Sequence, residues 1–132
     1  MIALDISKRL RAEGGYLDLH INVRIEAGEW VTLYGPSGVG KTSTLRMLSG
    51  LMKPDEGSII VSDTTWFDSL KKTNLKPELR NIGYVFQDFA LFPNMTVRQN
   101  LEFARKKGGD RKKLTTVLEM IELGDLQDQK PA

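Results

Sequence analysis

Cysteine is absent from this 132-residue sequence, and histidine occurs once, as His20. Without cysteine there is no disulfide framework, no thiolate metal site and no cysteine nucleophile. A single histidine excludes any metal site or catalytic constellation that needs two. An excess of charge is missing too: 19 Lys+Arg against 17 Asp+Glu leave +2, too little to point to nucleic acid as a partner. Long hydrophobic runs are lacking, and stretches such as Phe89-Ala90-Leu91-Phe92 fall far short of a membrane span. The N-terminal Met1-Ile2-Ala3-Leu4-Asp5-Ile6 meets a charge early and carries no apolar leader region. There is no internal repeat and no low-complexity tract. What is present is ordinary for a folded chain: 27% charged and 40% apolar residues, enough to bury a core. The expectation is a soluble, cytoplasmic protein of one domain, or of one domain and a fragment of a second.

Ile2, Leu4 and Ile6 alternate with other residues, as do Leu17, Leu19, Ile21, Val23 and Ile25. A period of two marks half-buried strands. The turn-rich Arg11-Ala12-Glu13-Gly14-Gly15 between them predicts an antiparallel hairpin ending near Ala27-Gly28. Trp30-Val31-Thr32-Leu33-Tyr34 is a short apolar run ending at glycine, the pattern of a core strand buried on both faces. A helix is expected from about Gly40 to Gly50 or Pro54, with Leu45, Leu48 and Leu51 as its apolar stripe. Ser58 to Val61 reads as a strand. Residues 62–81 read as a polar, irregular connection, with Lys71, Lys72 and Lys76 exposed and Trp66-Phe67 anchored in the core. Ile82-Gly83-Tyr84-Val85-Phe86 reads as a further strand.

Thr96 and Gln99 fit a capping box and start a helix running to about Arg105. Lys106-Lys107-Gly108-Gly109 breaks it. Asp110 can cap a last helix, in which Leu114, Val117, Leu118 and Ile121 recur at helical spacing up to Gly124. The basic Arg105-Lys106-Lys107 and Arg111-Lys112-Lys113 beside the break read as solvated faces.

Gly35-Pro36-Ser37-Gly38-Val39-Gly40-Lys41-Thr42 matches in full the pattern G-x-x-x-x-G-K followed by Ser or Thr. An apolar run precedes it and a helix pattern follows. Gly35, Gly38 and Gly40 permit a loop whose backbone N–H groups converge on phosphate oxygens. The helix N-terminus adds partial positive charge and unpaired donors. Lys41 can reach the β- and γ-phosphates as a point charge. The Thr42 hydroxyl can ligate Mg²⁺, which prefers oxygen and keeps phosphates and waters in its shell. The nucleotide-binding residues are therefore Gly35, Pro36, Ser37, Gly38, Val39, Gly40, Lys41, Thr42 and Ser43. A guanine-reading Asn/Thr-Lys-x-Asp motif is absent, which argues against a GTPase.

The run from Gly35 to Leu51, followed by Pro54-Asp55-Glu56-Gly57-Ser58-Ile59, resembles the Walker A helix and following turn of ABC transporter ATPase subunits. Arg80-Asn81-Ile82-Gly83-Tyr84-Val85-Phe86-Gln87-Asp88-Phe89-Ala90-Leu91-Phe92-Pro93, then Val97 and Asn100-Leu101, resembles their Q-loop and the start of their helical subdomain. The wording around Pro77-Glu78, Arg80 and Gly83 to Asp88 is most similar to the importer branch, particularly molybdate- or sulfate-type ATP-binding subunits.

The resemblance covers nearly the whole chain and implies an α/β fold. Residues 1–94 would form an N-terminal antiparallel β subdomain and P-loop NTPase core; residues 95–132 would begin an α-helical subdomain. It implies ATP and Mg²⁺ as cofactors, Lys41 and Gln87 as catalytic residues, and Thr42 and Gln87 as metal ligands. Gln87 would contact Mg²⁺ or the attacking water and relay nucleotide state, a task suited to an amide, which accepts and donates without adding charge. Asp88 to Pro93 would lie near the groove for a transmembrane permease subunit, where Phe89, Leu91 and Phe92 are either contact or core residues. A second ATP-binding subunit would complete the site, on the cytoplasmic face of the membrane. Members stack adenine on an aromatic of the N-terminal β region. Tyr16 is the candidate here, with an ordinary strand tyrosine as the alternative.

The family's signature (Leu-Ser-Gly-Gly-Gln or similar), its strand ending in Asp-Glu and its switch histidine do not occur in these 132 residues. Leu48-Ser49-Gly50 runs on into Leu51-Met52-Lys53. Asp55-Glu56 follows Pro54, where no central strand can end. His20 precedes the P-loop and reads as an outward strand residue. The expectation is a truncated or partial ABC ATPase, deficient in hydrolysis by itself and exposing an apolar sheet edge. A non-catalytic nucleotide-binding regulatory module is the alternative.

Overall fold

The alternating apolar residues of the N-terminal segment fold as the hairpin their period dictates. A computed structural model describes residues 1–12, 14–88, 90–105 and 111–131 of the chain. Strands β1 (Ile2–Ala12) and β2 (Gly15–Ile25) pair antiparallel without a slip, from Ile2 opposite Ile25 to Ala12 opposite Gly15. The other edge of β1 takes β3 (Glu56–Val61), again antiparallel, and β4 (Thr64–Asp68) and β5 (Thr73–Asn74) extend the sheet to the order β2-β1-β3-β4-β5. Ser62 and Asp63, with φ of 43° and 66°, make the tight turn between β3 and β4. Gly57 marks the closest approach of β1 and β3: a Cβ there would lie 1.9 Å from the Asp5 carbonyl oxygen.

Leu4, Ile6, Ile59, Trp66 and Phe67 form the buried cluster of the sheet, completed by Met47 of helix α1 (Lys41–Ser49). The helix lies where the phosphate pattern requires it, although its stripe is rotated from the one expected. Thr44 and Met47 are buried and Leu48 half-buried, while Leu45 and Leu51 are exposed. Met47, unbranched and flexible, joins the buried cluster of Leu4, Ile6 and Ile59, whereas Leu45 of the expected stripe does not.

Three other expectations are corrected. Residues 62–81 are not irregular throughout, since they contain β4, β5 and a 3-10 turn at Pro77–Leu79; Trp66 and Phe67 are nonetheless anchored, at 8% and 1% exposure. Trp30 to Tyr34 is not a buried strand: it carries no strand assignment, and Trp30 and Tyr34 are almost wholly exposed. Ile82 to Phe86 likewise carries no strand assignment, and Ile82, Val85 and Phe86 are exposed. The reason is common to both segments. A strand buried on both faces needs a ladder on each side, and no described strand pairs with either.

The described contacts divide the chain into two units, Met1–Tyr84 and Val85–Ala132. In the second, α2 (Val97–Ala104) opens on the expected capping box: Gln99 N–H donates to Thr96 Oγ1 at 3.2 Å, and Thr96 N–H to Gln99 Oε1 at 2.9 Å. The N–H groups of Val97 and Arg98 donate to the carbonyls of Gln129 and Gln127, both at 2.9 Å, so those first-turn donors are satisfied. Helix α3 (Arg111–Met120) buries Leu118 and is followed by a 3-10 turn at Gly124–Leu126. The expected break at Lys106 to Gly109 and the cap at Asp110 lie outside the described residues. No described helix is long and apolar enough to cross a membrane.

Candidate nucleotide site

The loop between Tyr34 and α1 is shaped by what it touches. The hairpin presents Leu10 and Leu19 on its inner face, and Gly40 rests on them: a Cβ at Gly40 would lie 2.9 Å from Leu19 Cδ2 and 3.5 Å from Leu10 Cδ1. A Cβ at Gly35 would lie 3.2 Å from Val39 Cγ1. Gly35, Gly38 and Gly40 hold φ of 155°, 82° and 99°, the half of dihedral space that side chains disfavour. Three glycines thus stand where the backbone reverses or meets a neighbour.

Helix α1 then starts with no side chain bonded to its N-terminus and no acidic residue in its first turn. Its first N–H groups have no acceptor within the helix, and partial positive charge gathers there. Thr44 Oγ1 turns back to the Gly40 carbonyl at 2.9 Å. The Lys41 ammonium lies across the loop, donating to the carbonyls of Gly35 at 2.7 Å and Pro36 at 2.6 Å. Pro36, Ser37, Gly38, Val39 and Thr42 are exposed, and Ser43 is half-buried. An ammonium, an uncapped helix N-terminus and an open hydroxyl in one place fit a triphosphate. Such a donor set suits Mg²⁺ only together with phosphate oxygens, for the described residues hold no cluster of acidic or histidine ligands.

The structure brings Gly35 to Ser43 together at the loop and helix start. Tyr16 shares its strand face with Asp18 and His20, whereas Leu19, which carries Gly40, points to the other face. Its ring is instead covered by Arg9, whose guanidinium carbon is 4.5 Å from the ring centre. This is the arrangement of an exposed strand tyrosine. Gln87 is exposed and belongs to the second unit. There Leu91 and Phe92 are exposed at 53% and 40%, while Phe89 lies outside the described residues.

Phe92 is held by Asn100, whose Nδ2 donates to the carbonyls of Phe92, Met95 and Thr96 and whose Oδ1 accepts from Phe92 N–H at 2.8 Å. The Phe103 ring meets Phe92 edge-on, 4.7 Å between centres. Nothing in the resemblance around Asn100-Leu101 assigns Asn100 this role. An asparagine one turn after a helix start was the available signal.

The sequence matches the model of a family described as ABC transporter over residues 19–132. The chain belongs to the ABC transporter family. Among ABC relatives, the molybdenum import ATP-binding protein ModC of Paramagnetospirillum magneticum is 44% identical over 136 residues, covering all of this chain and 36% of the relative. The ModC protein of Rhodospirillum rubrum is 40% identical, with 100% of this chain and 35% of the relative covered. The spermidine/putrescine import ATP-binding protein PotA of Nitrosospira multiformis is 37% identical over 99% of this chain and 36% of its own length.

This ABC chain therefore spans about a third of the curated relatives it matches. The dimeric ABC transporter cassette MJ0796 superposes with a TM-score of 0.73 at 28% identity, over 99% of this chain and 62% of that one. The α/β fold expected from the motifs is the ABC ATPase fold, here with its antiparallel sheet and phosphate-loop helix.

Proposed function

We propose that this chain is the ATP-grasping part of an ABC importer ATPase subunit, which couples ATP binding and hydrolysis to solute uptake. The observation that carries the reading is the loop itself: Lys41 Nζ held over the Gly35 and Pro36 carbonyls, beside an uncapped helix N-terminus. In that reading the loop amides and Lys41 bind the β- and γ-phosphates, and Thr42 supplies one ligand to Mg²⁺. When bound, the metal neutralises charge on the phosphates. Gln87 orients the metal or the attacking water. Asp88 to Pro93 meet a transmembrane permease subunit on the cytoplasmic face, and a second ATP-binding subunit closes the site. Support for molybdate or another oxyanion as the solute comes from the ModC relatives, which are more identical than the PotA proteins.

Residues 1–132 contain no Asp-Glu strand end to act as base and no signature segment to oppose a second site. This polypeptide by itself binds MgATP weakly and does not hydrolyse it. Titration with MgATP, followed by calorimetry, should give saturable binding that Lys41→Ala removes and Tyr16→Ala leaves unchanged. Phosphate release should stay at background. Binding that survives Lys41→Ala, or release well above background that Lys41→Ala abolishes, would overturn the respective claim.

A further inference from the structure

Arg80 is the largest fully buried side chain of the described residues, at 1% exposure, and its guanidinium joins three parts of the first unit. Nη1 donates to the carbonyls of Met47 at 3.0 Å and Leu48 at 2.7 Å. Nε donates to the Leu75 carbonyl at 3.0 Å, and Nη2 to Asn74 Oδ1 at 3.1 Å. The guanidinium carbon lies 5.6 Å from the centre of the Trp66 ring. Met47 and Leu48 are in the last turn of α1, where partial negative charge accumulates, and the Met47 carbonyl also accepts from the Gly50 N–H at 3.2 Å. Gly50 completes the fit: it caps the helix at φ 84°, and a Cβ there would lie 2.7 Å from Arg80 Nε.

Resting on the proposed nucleotide site, we infer that Arg80 is a positioning residue for it, clamping the far end of α1 to β4 and β5 so that the phosphate loop at the near end keeps its register. The helix has nine residues and is about 13 Å long, short enough to move as one rod. It is held at two ends, by Gly40 against Leu10 and Leu19 and by Arg80 beneath the last turn. At the clamped end Met47 also enters the core. Release of the far end frees the rod to shift, and the loop at its near end shifts with it; displacements of about 1 Å are enough to spoil such a site. Lysine cannot replace the clamp, because a single ammonium lacks the planar fork that reaches four acceptors at once.

The test compares Arg80→Lys and Gly50→Ala with Ile59→Val, which trims the core cluster containing Met47 and lowers stability while leaving the Arg80 hydrogen bonds in place. Affinity for MgATP is measured by calorimetry on folded protein, and the amide resonances of Gly38, Gly40 and Lys41 are recorded without nucleotide. Arg80→Lys should weaken ATP binding on the order of tenfold and move those resonances. Gly50→Ala, which keeps the arginine but crowds it, should move both in the same direction by less. Ile59→Val should lower the melting temperature with affinity and resonances unchanged. Wild-type affinity and unmoved loop resonances in Arg80→Lys would overturn the inference, as would equal effects in Ile59→Val. If the wild-type chain binds no ATP, the nucleotide reading fails, and the resonances still decide whether Arg80 positions the loop.

Discussion

Phe67 and Trp30 are both large aromatics in segments with strand-like composition, and both belong to the first unit, yet Phe67 is 1% exposed and Trp30 is fully exposed. The difference lies in where the partner strands come from. Phe67 is in β4, which follows β3 after the two-residue turn at Ser62 and Asp63 and pairs with it antiparallel. A hairpin supplies its own neighbour at once, with little loop entropy to overcome. Trp30 to Tyr34 has the run of a strand at the centre of a sheet, and such a strand needs partners delivered by distant crossovers. Apolar composition qualifies a segment for burial, and pairing accomplishes it.

The largest expected effect breaks the buried side of this comparison. Phe67→Ala removes a ring packed in the cluster with Ile59, Leu4 and Met47 and should cost about 3–5 kcal/mol, read from the midpoint of urea unfolding. A loss below about 1 kcal/mol would mean that β4 is not the packed element described.

The same distinction between local and distant interactions governs what could be read from the sequence. The hairpin, the phosphate loop and the Thr96 capping box are local patterns, and each appears where its spacing placed it. The face of Tyr16 was also legible, because it shares parity with Asp18, His20 and Asn22 rather than with Leu17 and Leu19. Arg80 was not legible as a core residue. Two of its four acceptors are the carbonyls of Met47 and Leu48, more than thirty positions away, and no pattern around Arg80 announces them. Nor does any local signal reveal that α1 turns Met47 rather than Leu45 inward, since the sheet it packs on decides that rotation.

A smaller effect sharpens the paired side. Asp55, in the turn after α1, accepts from Lys8 Nζ at 2.5 Å and from Arg9 N–H at 2.9 Å, and its own N–H donates to the Ser7 carbonyl. The Lys8 bond, then the Arg9 N–H, hold its carboxyl below the usual 3.8. The fold therefore favours the ionised form. Its contribution is complete above the unfolded value of about 3.9 and fades as pH falls through the lower folded value. Asp55→Asn should flatten the acid limb of the stability curve below about pH 4 and cost under about 1 kcal/mol at pH 7, as the pair is half-exposed. An unchanged acid limb would show that β1 and this turn are not joined through Asp55.

The smallest effect tests the unpaired side, and a null result is the informative one. Trp30→Ser should change stability by no more than about 0.5 kcal/mol, because nothing packed is lost. Fluorescence gives an independent reading, since the chain has only two tryptophans. Trp66 lies under Arg80 in the core, and Trp30 is open to solvent. In Trp66→Phe the remaining emission should be that of a solvated indole and be quenched freely by iodide; in Trp30→Ser it should be blue-shifted and protected. A protected Trp30, or a cost of several kcal/mol for losing it, would mean that the segment has found a partner within these 132 residues. Burial would then no longer follow from a hairpin's own pairing alone.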